Sequence, residues 1–181
     1  GLPLITHVLR SANKLDPETI LVVVGHQAEE VEREVLEAVG EKASFVVQAK
    51  QRGTGDAVES ARSRLADSDS LLVVLYGDMP LIRTETLQKL IAHHGEAGAA
   101  CSILSVEMQN PTGYGRIVRN EDGSFARIVE QRDATAEQRQ IREINSGIYC
   151  FDARELFQAL RLVKPANEQG GYYLTDVAEI I

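Results

Sequence analysis

The sequence predicts an α/β fold, a mostly parallel mixed sheet with flanking helices and an inserted β-hairpin region. Three observations carry that reading. Strand and helix patterns alternate from the start of the chain to about residue 97. The apolar run Leu71-Leu-Val-Val-Leu75 drives straight into Tyr76-Gly77-Asp78-Met79-Pro80. A continuous apolar run closed by Gly and Pro reads as a strand buried on both faces of a parallel sheet. After Ala99 the alternation gives way to strand patterns around the turn signal Asn120-Glu-Asp-Gly123, which reads as a hairpin.

Each element follows from local spacing. Leu4, Ile5, Val8, Leu9 and Ala12 recur at helical intervals and predict a helix over about 3–14. A strand follows at 19–25. Ala28, Val31, Val35 and Val39, with Glu and Arg between them, make an amphipathic helix over 28–39. Residues 43–48 form a short strand, Gly53-Thr54-Gly55 a turn, and about 56–66 a helix. The 71–76 strand comes next, then a helix over 84–97. This alternation is the signature of βαβ units. Beyond it, 99–107 and 116–119 read as strands, 124–130 as the hairpin partner, 133–141 as helical, 144–151 as a strand and 152–162 as a helix. Asp176-Val-Ala-Glu179 has capping spacing, with Asp176 as the cap of a last helix. No linker, repeat or low-complexity segment interrupts the chain, so 1–181 reads as one domain.

Composition bounds the function. The chain has 181 residues, 44% apolar and 25% charged, with a net charge of −8. An acidic surface argues against nucleic acid and against an anionic membrane, which both attract a basic face. Cys101 and Cys150 stand outside any metal or redox spacing and read as buried thiols in a reducing compartment. No apolar stretch approaches the roughly 18 residues of a membrane span, and no leader pattern opens the chain. The expected location is cytoplasmic. Because the sequence begins and ends inside helical patterns, it reads as a piece of a longer protein.

Several segments have residue types that bind ligands. Asp78 ends the buried run, and in open α/β sheets ligands gather beyond the carboxyl ends of the strands. A carboxylate there suits Mg²⁺, which takes one or two carboxylates plus phosphate oxygens; a turn aspartate before Pro80 is the plain alternative. Gly53 and Thr54 lie between strand and helix, where backbone amides can approach a nucleotide. They also fit an ordinary turn. Gln48 carries a side-chain amide able to read a base edge, or is simply an exposed glutamine. Thr112-Gly-Tyr-Gly115 is a ligand loop or a turn. Glu130 and Asn145, at strand boundaries, suit sugar hydroxyls or solvent equally. His7, His26, His93 and His94 show no metal spacing, and the His93-His94 pair reads as a solvated helix end. No serine or cysteine sits in a nucleophile motif.

The order of these segments is more specific than any one of them. Gln48-Ala-Lys-Gln-Arg-Gly-Thr-Gly-Asp-Ala57, Leu75-Tyr-Gly-Asp-Met-Pro-Leu81, Asn110-Pro-Thr-Gly-Tyr-Gly-Arg-Ile117, Ile128-Val-Glu130, Glu143-Ile-Asn-Ser-Gly-Ile148 and Gly171-Tyr-Tyr-Leu-Thr-Asp176 follow one another along the chain. This succession closely resembles the uridylyltransferase domain of the bacterial bifunctional GlmU family, over the whole of 1–181. The resemblance implies a Rossmann-like nucleotidyltransferase fold. It implies transfer of uridylate from UTP to N-acetylglucosamine 1-phosphate, giving UDP-N-acetylglucosamine and pyrophosphate, with Mg²⁺. It also implies a multifunctional parent enzyme that supplies peptidoglycan and lipopolysaccharide synthesis. Residue by residue, Gln48 falls on the uracil reader, and Gly53 and Thr54 on the nucleotide loop. Tyr76, Gly77 and Asp78 fall on the nucleotide-sugar and metal motif, with Asp78 as the catalytic metal carboxylate. Gly115, Glu130 and Asn145 fall on sugar-binding positions.

The chain departs from the family at defined places. The family opens with a glycine-rich loop followed by a lysine, which clamps the triphosphate; this sequence begins after it. A second metal ligand, an Asn, and the acetyltransferase domain through which the parent forms homo-oligomers lie beyond residue 181. Family members commonly carry Glu where Gly171 stands. The 181 residues alone are therefore expected to be weak or inactive as a catalyst. Two competing expectations are another sugar-1-phosphate nucleotidyltransferase, and a nucleotide-sugar-binding module without catalysis.

Overall fold

A computed structural model describes residues 1–25, 28–165 and 171–181; His26 lies outside them. The elements run α1 (Leu4–Asn13), β1 (Ile20–Val24), α2 (Ala28–Val39), β2 (Ala43–Val47), α3 (Thr54–Glu59), α4 (Arg62–Leu65), β3 (Leu71–Val74), α5 (Thr84–Ala97), β4 (Cys101–Glu107), β5 (Arg116–Arg119), β6 (Phe125–Val129), β7 (Glu143–Asp152), α6 (Ala153–Leu160) and α7 (Leu174–Ile180). The α/β class holds, and so does the hairpin: Asn120 and Ser124 pair across the turn, and β5 and β6 are antiparallel.

The balance of the sheet differs from the expectation of mostly parallel strands. Among the described residues β1 and β2 pair in parallel, while β3, β4 and β5 each pair antiparallel with β7, and β5 with β6. β7 is the strand that organises the fold. Along it Tyr149 and Phe151 face one core with Leu156, Phe157, Leu174 and Val177, and Ile148 and Cys150 face another with Leu87 and Leu90. The alternation of one strand between two helical layers is the period-2 geometry of a pleated sheet. A third core joins Leu9, Val35 and Val39 to the β1–β2 pair.

The 71–76 run is a strand, but not one in a parallel sheet. β3 takes β7 as an antiparallel partner, from Leu71 opposite Asp152 to Val74 opposite Tyr149. Leu72 and Val74 pack on the first core, and Val73 and Leu75 on the second. Both faces are covered, yet the strand is only half buried and Leu71 is 41% exposed. The reason is an open edge. Consecutive residues of β1 and of β3 line a cleft of about 670 Å³, walled by Ile5, Val8 and Leu9 of α1 and by Ala57 and Val58 of α3.

Four local expectations also change. The helix expected over 56–66 starts earlier, at Thr54, and breaks at Ser60–Ala61 into α3 and α4. The 133–141 stretch holds only a 3₁₀ turn at Gln138–Gln140. There Thr135 N–H donates to Gln138 Oε1 and Gln138 N–H to Thr135 Oγ1, the reciprocal exchange of a capping box, but the turn it starts ends at Ile141, whose backbone is already extended ahead of β7. Asp176 is not a cap: α7 begins at Leu174 behind Tyr173. His94 is buried rather than solvated, with Nδ1 2.9 Å from Ser102 Oγ. Its face of α5 packs on β4. Cys150 is buried, Cys101 partly so, and both are free; burial pushes the thiols up to about 11 and about 12, so neither supplies a thiolate near neutrality. No helix among the described residues is long and apolar enough to cross a membrane.

Candidate functional site

The cleft between β1 and β3 ends in a polar rim where Gly25, Gln48, Gln51, Thr54, Tyr76 and Gly77 come together. These are the carboxyl-terminal ends of the strands, as expected for an α/β ligand site. A smaller cavity of about 410 Å³ lies near Cys101, Ile117, Phe125 and Ala178 and takes in none of the predicted site residues.

One side of the rim is built from the loop after β2. Gly53 has φ of 110°, and a Cβ there would run into the Tyr172 carbonyl, so only glycine fits. The loop is zipped to a distant segment: Tyr172 N–H donates to the Arg52 carbonyl and Gly55 N–H to the Tyr172 carbonyl, both at 2.8 Å. Thr54 Oγ1 accepts the Leu174 N–H at 3.0 Å and so caps α7. Gln48 donates through Nε2 to Gly53 and Asp56. The glycine-threonine loop and the Gly171–Asp176 motif, more than a hundred residues apart, are one local structure.

The opposite side is built on β7. Its register against β4 jumps from Leu104–Ile148 to Ser105–Asn145, which places Ser146 and Gly147 in a bulge. Bulges re-aim side chains. Here Gly147, with φ of 83°, donates its N–H to Asn145 Oδ1 at 3.0 Å, and Ser146 Oγ donates to the Leu104 carbonyl at 2.6 Å. Asn145 Nδ2 donates to the Tyr149 hydroxyl at 2.6 Å, and Asn145 N–H to the Gly115 carbonyl at 2.9 Å. Gly115 faces Glu130: a Cβ on it would lie 3.4 Å from both carboxylate oxygens.

Tyr76 joins the two sides. Its ring fills the space a Gly147 side chain would need, and its hydroxyl is next to Thr54. Burial pushes this phenol up, with Glu130 and Asp78 adding to the effect. Glu130 is itself pushed up, first by burial and then by the charges of Asp133 and Asp176. The nearby Thr175 Oγ1 is buried and makes no hydrogen bond of normal geometry among the described residues. Tyr173 lies in the same acidic field.

The structure thus brings Gln48, Gly53, Thr54, Tyr76 and Gly77 to one rim and links them through Tyr76 to Gly115, Glu130 and Asn145. Asp78 sits on the exposed turn that follows. No group of three His, Cys, Asp or Glu ligands forms a metal cage among the described residues. An exposed carboxylate is a ligand type that Mg²⁺ accepts, since it takes one or two protein carboxylates and keeps several waters.

Sequence reasoning missed two supports. Asp56 and Arg52, at i,i+4 spacing, anchor Gln48. Arg116 is 1% exposed, donating to the Tyr114 and Arg139 carbonyls and, at 2.7 Å, to Gln131 Oε1, which also accepts the Gly113 N–H. The signal for Arg116 was present: it occupies an inward position in a strand whose neighbours are apolar.

Fold and site together define an α/β nucleotidyltransferase. The chain superposes on the crystal structure of a UDP-glucose pyrophosphorylase complexed with UDP-glucose with a TM-score of 0.77 at 16% identity, covering 98% of this chain and 74% of that one. It belongs to the nucleotidyl transferase family, whose profile it matches over residues 1–179. Its relatives include the bifunctional protein GlmU of Latilactobacillus sakei, 45% identical over 181 residues, and that of Geobacillus thermodenitrificans, 48% identical over 181 residues. All of this chain is matched in both, but only 38% and 39% of the relatives' own length. The resemblance read from the ordered motifs holds at the level of the family.

Proposed function

We propose that this chain forms the uridylyl-transfer site of a sugar-nucleotide synthesising enzyme. The reaction joins UTP to N-acetylglucosamine 1-phosphate and releases pyrophosphate, leaving UDP-N-acetylglucosamine for cell-wall precursors. The observation that carries the reading is Tyr76, which packs on Gly147 of the β7 bulge while its hydroxyl meets Thr54 of the glycine loop. Nucleotide and sugar sides therefore meet at the phosphate-facing end of β3. The relatives named bifunctional GlmU support the coarser reading of a sugar-phosphate uridylyltransferase.

The chemistry suits the residues. The attacking sugar-phosphate oxygen is already anionic, so no strong general base is required, and positioning and charge neutralisation do most of the catalysis. Gln48 reads the base, and Gly53 and Thr54 approach the nucleotide through the loop backbone. Glu130 and Asn145 hold sugar hydroxyls, with Gly115 leaving them room. Asp78 would hold a divalent cation, Mg²⁺ by the oxygen donor set, which offsets the repulsion between the two phosphates. The cytoplasm, with its nucleotide pool and reducing thiol poise, is the fitting compartment. Assembly into homo-oligomers would reside in the part of the relatives' length that this chain does not span.

Pyrophosphate release from UTP, N-acetylglucosamine 1-phosphate and Mg²⁺ tests the proposal on the full-length gene product. Turnover that disappears in Asp78→Ala is the expected result, and turnover indifferent to Asp78 sinks the assignment. A panel of sugar 1-phosphates separates this reading from synthesis of UDP-glucose, the ligand of the structural neighbour. Binding of UDP-N-acetylglucosamine without turnover would favour a non-catalytic module.

A further inference from the structure

Among the described residues, the Gln48 side chain is held by acceptors alone. Its Nε2 donates to the Gly53 carbonyl at 3.2 Å and to Asp56 Oδ2 at 2.8 Å. Neither a carbonyl nor a carboxylate can donate, so a flipped amide would set Oε1 against two oxygens. Asp56 is fixed in turn. Its side chain is 12% exposed, and Oδ1 accepts from Arg52 Nε at 3.2 Å and from Nη2 at 2.7 Å. The Arg52 guanidinium lies over the Tyr172 ring, 5.6 Å from its centroid. With both amide protons engaged, Oε1 is the hydrogen-bonding group that Gln48 has left for a ligand at the cleft rim.

We propose that Asp56 is a positioning residue that sets nucleobase selectivity by locking Gln48 as an acceptor. The inference rests on the nucleotide reading above and extends it to the base. Uracil presents a ring N3–H, which donates to Oε1. Cytosine presents a ring nitrogen lone pair at the same place, which meets the oxygen lone pair instead. A free glutamine would turn over and donate to cytosine; one tied to Asp56 cannot. Selectivity of this kind comes from polar groups left without a partner by the wrong ligand. A 5-methyl group leaves the ring N–H in place, so Asp56 does not distinguish uracil from its 5-methyl form.

Calorimetric titration of the full-length gene product with UDP, CDP and 5-methyl-UDP tests this. The parent chain is expected to bind UDP more tightly than CDP. Asp56→Ala is expected to narrow that ratio about tenfold and to leave the UDP to 5-methyl-UDP ratio unchanged. A purely structural role would weaken all three ligands alike, and an unchanged UDP to CDP ratio in a folded variant overturns the inference. If circular dichroism shows Asp56→Ala unfolded, the isosteric Asp56→Asn carries the test. Its side chain can offer Gln48 either an oxygen or an N–H, so a narrowing of about threefold is expected, and none overturns the inference. A parent chain that binds neither UDP nor CDP removes the nucleotide reading together with this one. UDP binding with an unmoved ratio removes this one alone.

Discussion

The two sides of the site are held by different physics. On the proposed sugar side, Asn145 and Gly147 belong to β7, whose residues Tyr149, Cys150 and Phe151 are fully buried between two helical layers. On the proposed nucleotide side, Gln48 and Gly53 belong to a loop beside a two-stranded pair whose residues are half buried. That loop is placed by polar contacts: the zip to Tyr172 and the Arg52–Asp56–Gln48 chain. The difference teaches where each side is vulnerable. Packing holds the sugar side, so cavities should damage it. Directional bonds hold the nucleotide side, so single polar changes should alter what it binds more than whether it folds.

The largest expected effect breaks the comparison at the core. Phe151→Ala removes a fully buried ring and should cost about 3–5 kcal/mol. Phe45→Ala, in the half-buried β2, should cost about 1–2 kcal/mol. Urea unfolding measures both, and equal losses would show that the two regions share one core.

Next comes a pair of glycines with the same sign of φ. Gly147→Ala forces a Cβ into the Tyr76 ring at φ of 83° and should cost about 2–3 kcal/mol. Gly40→Ala, at φ of 62° with open space around it, should cost about 1 kcal/mol. Thermal melts of the two variants make the comparison, and a Gly147 variant as mild as the Gly40 one would refute the packing of Tyr76 on the bulge.

Arg116→Met sharpens the comparison from the other direction. This buried arginine donates to two carbonyls and an amide oxygen, and burial lowers its affinity for its proton. Met leaves the Tyr114 and Arg139 carbonyls and Gln131 Oε1 without this donor, so the variant should lose about 1–3 kcal/mol. It should also loosen the Gly113–Gly115 loop and weaken UDP-N-acetylglucosamine about tenfold, with UDP unchanged. Equal weakening of both ligands would contradict the division of the site.

The smallest effect is a pH dependence. Burial, with Asp133 and Asp176, raises the Glu130 carboxyl above its ordinary value. The folded chain then holds that proton more tightly than the unfolded chain does. The stability from this group is complete below the ordinary carboxylate value and falls as pH rises through the raised one. Glu130→Gln should flatten the loss of melting temperature across the mildly acid range and still abolish sugar binding. A variant with the parent's pH profile would show that Glu130 is not the group responsible.

Much of this was readable in the chain. Helical spacing in 4–13, 28–39 and 84–97 and the apolar runs at 20–24 and 71–74 depend on near neighbours, and the structure follows them closely. The order of Gln48, Gly53-Thr54, Tyr76-Gly77-Asp78, Gly115, Glu130 and Asn145 along the sequence pointed to the family. At 133–141 the reading failed because the backbone is extended by Ile141, ahead of β7, so the turn begun at Thr135 and Gln138 does not propagate.

Sequence alone determined the class and most of the succession of elements, because 3.6- and 2-residue periodicities and turn chemistry are local properties of the chain. Tertiary structure decided the rest. It gave β3 an antiparallel partner in β7 and left its other edge on a cleft, because pairing depends on residues some 80 positions away. It buried His94 and Arg116, whose surroundings come from other strands. It also turned Gln48 into an acceptor, because the orientation of an amide is set by whatever stands against it in space, and here that is Asp56.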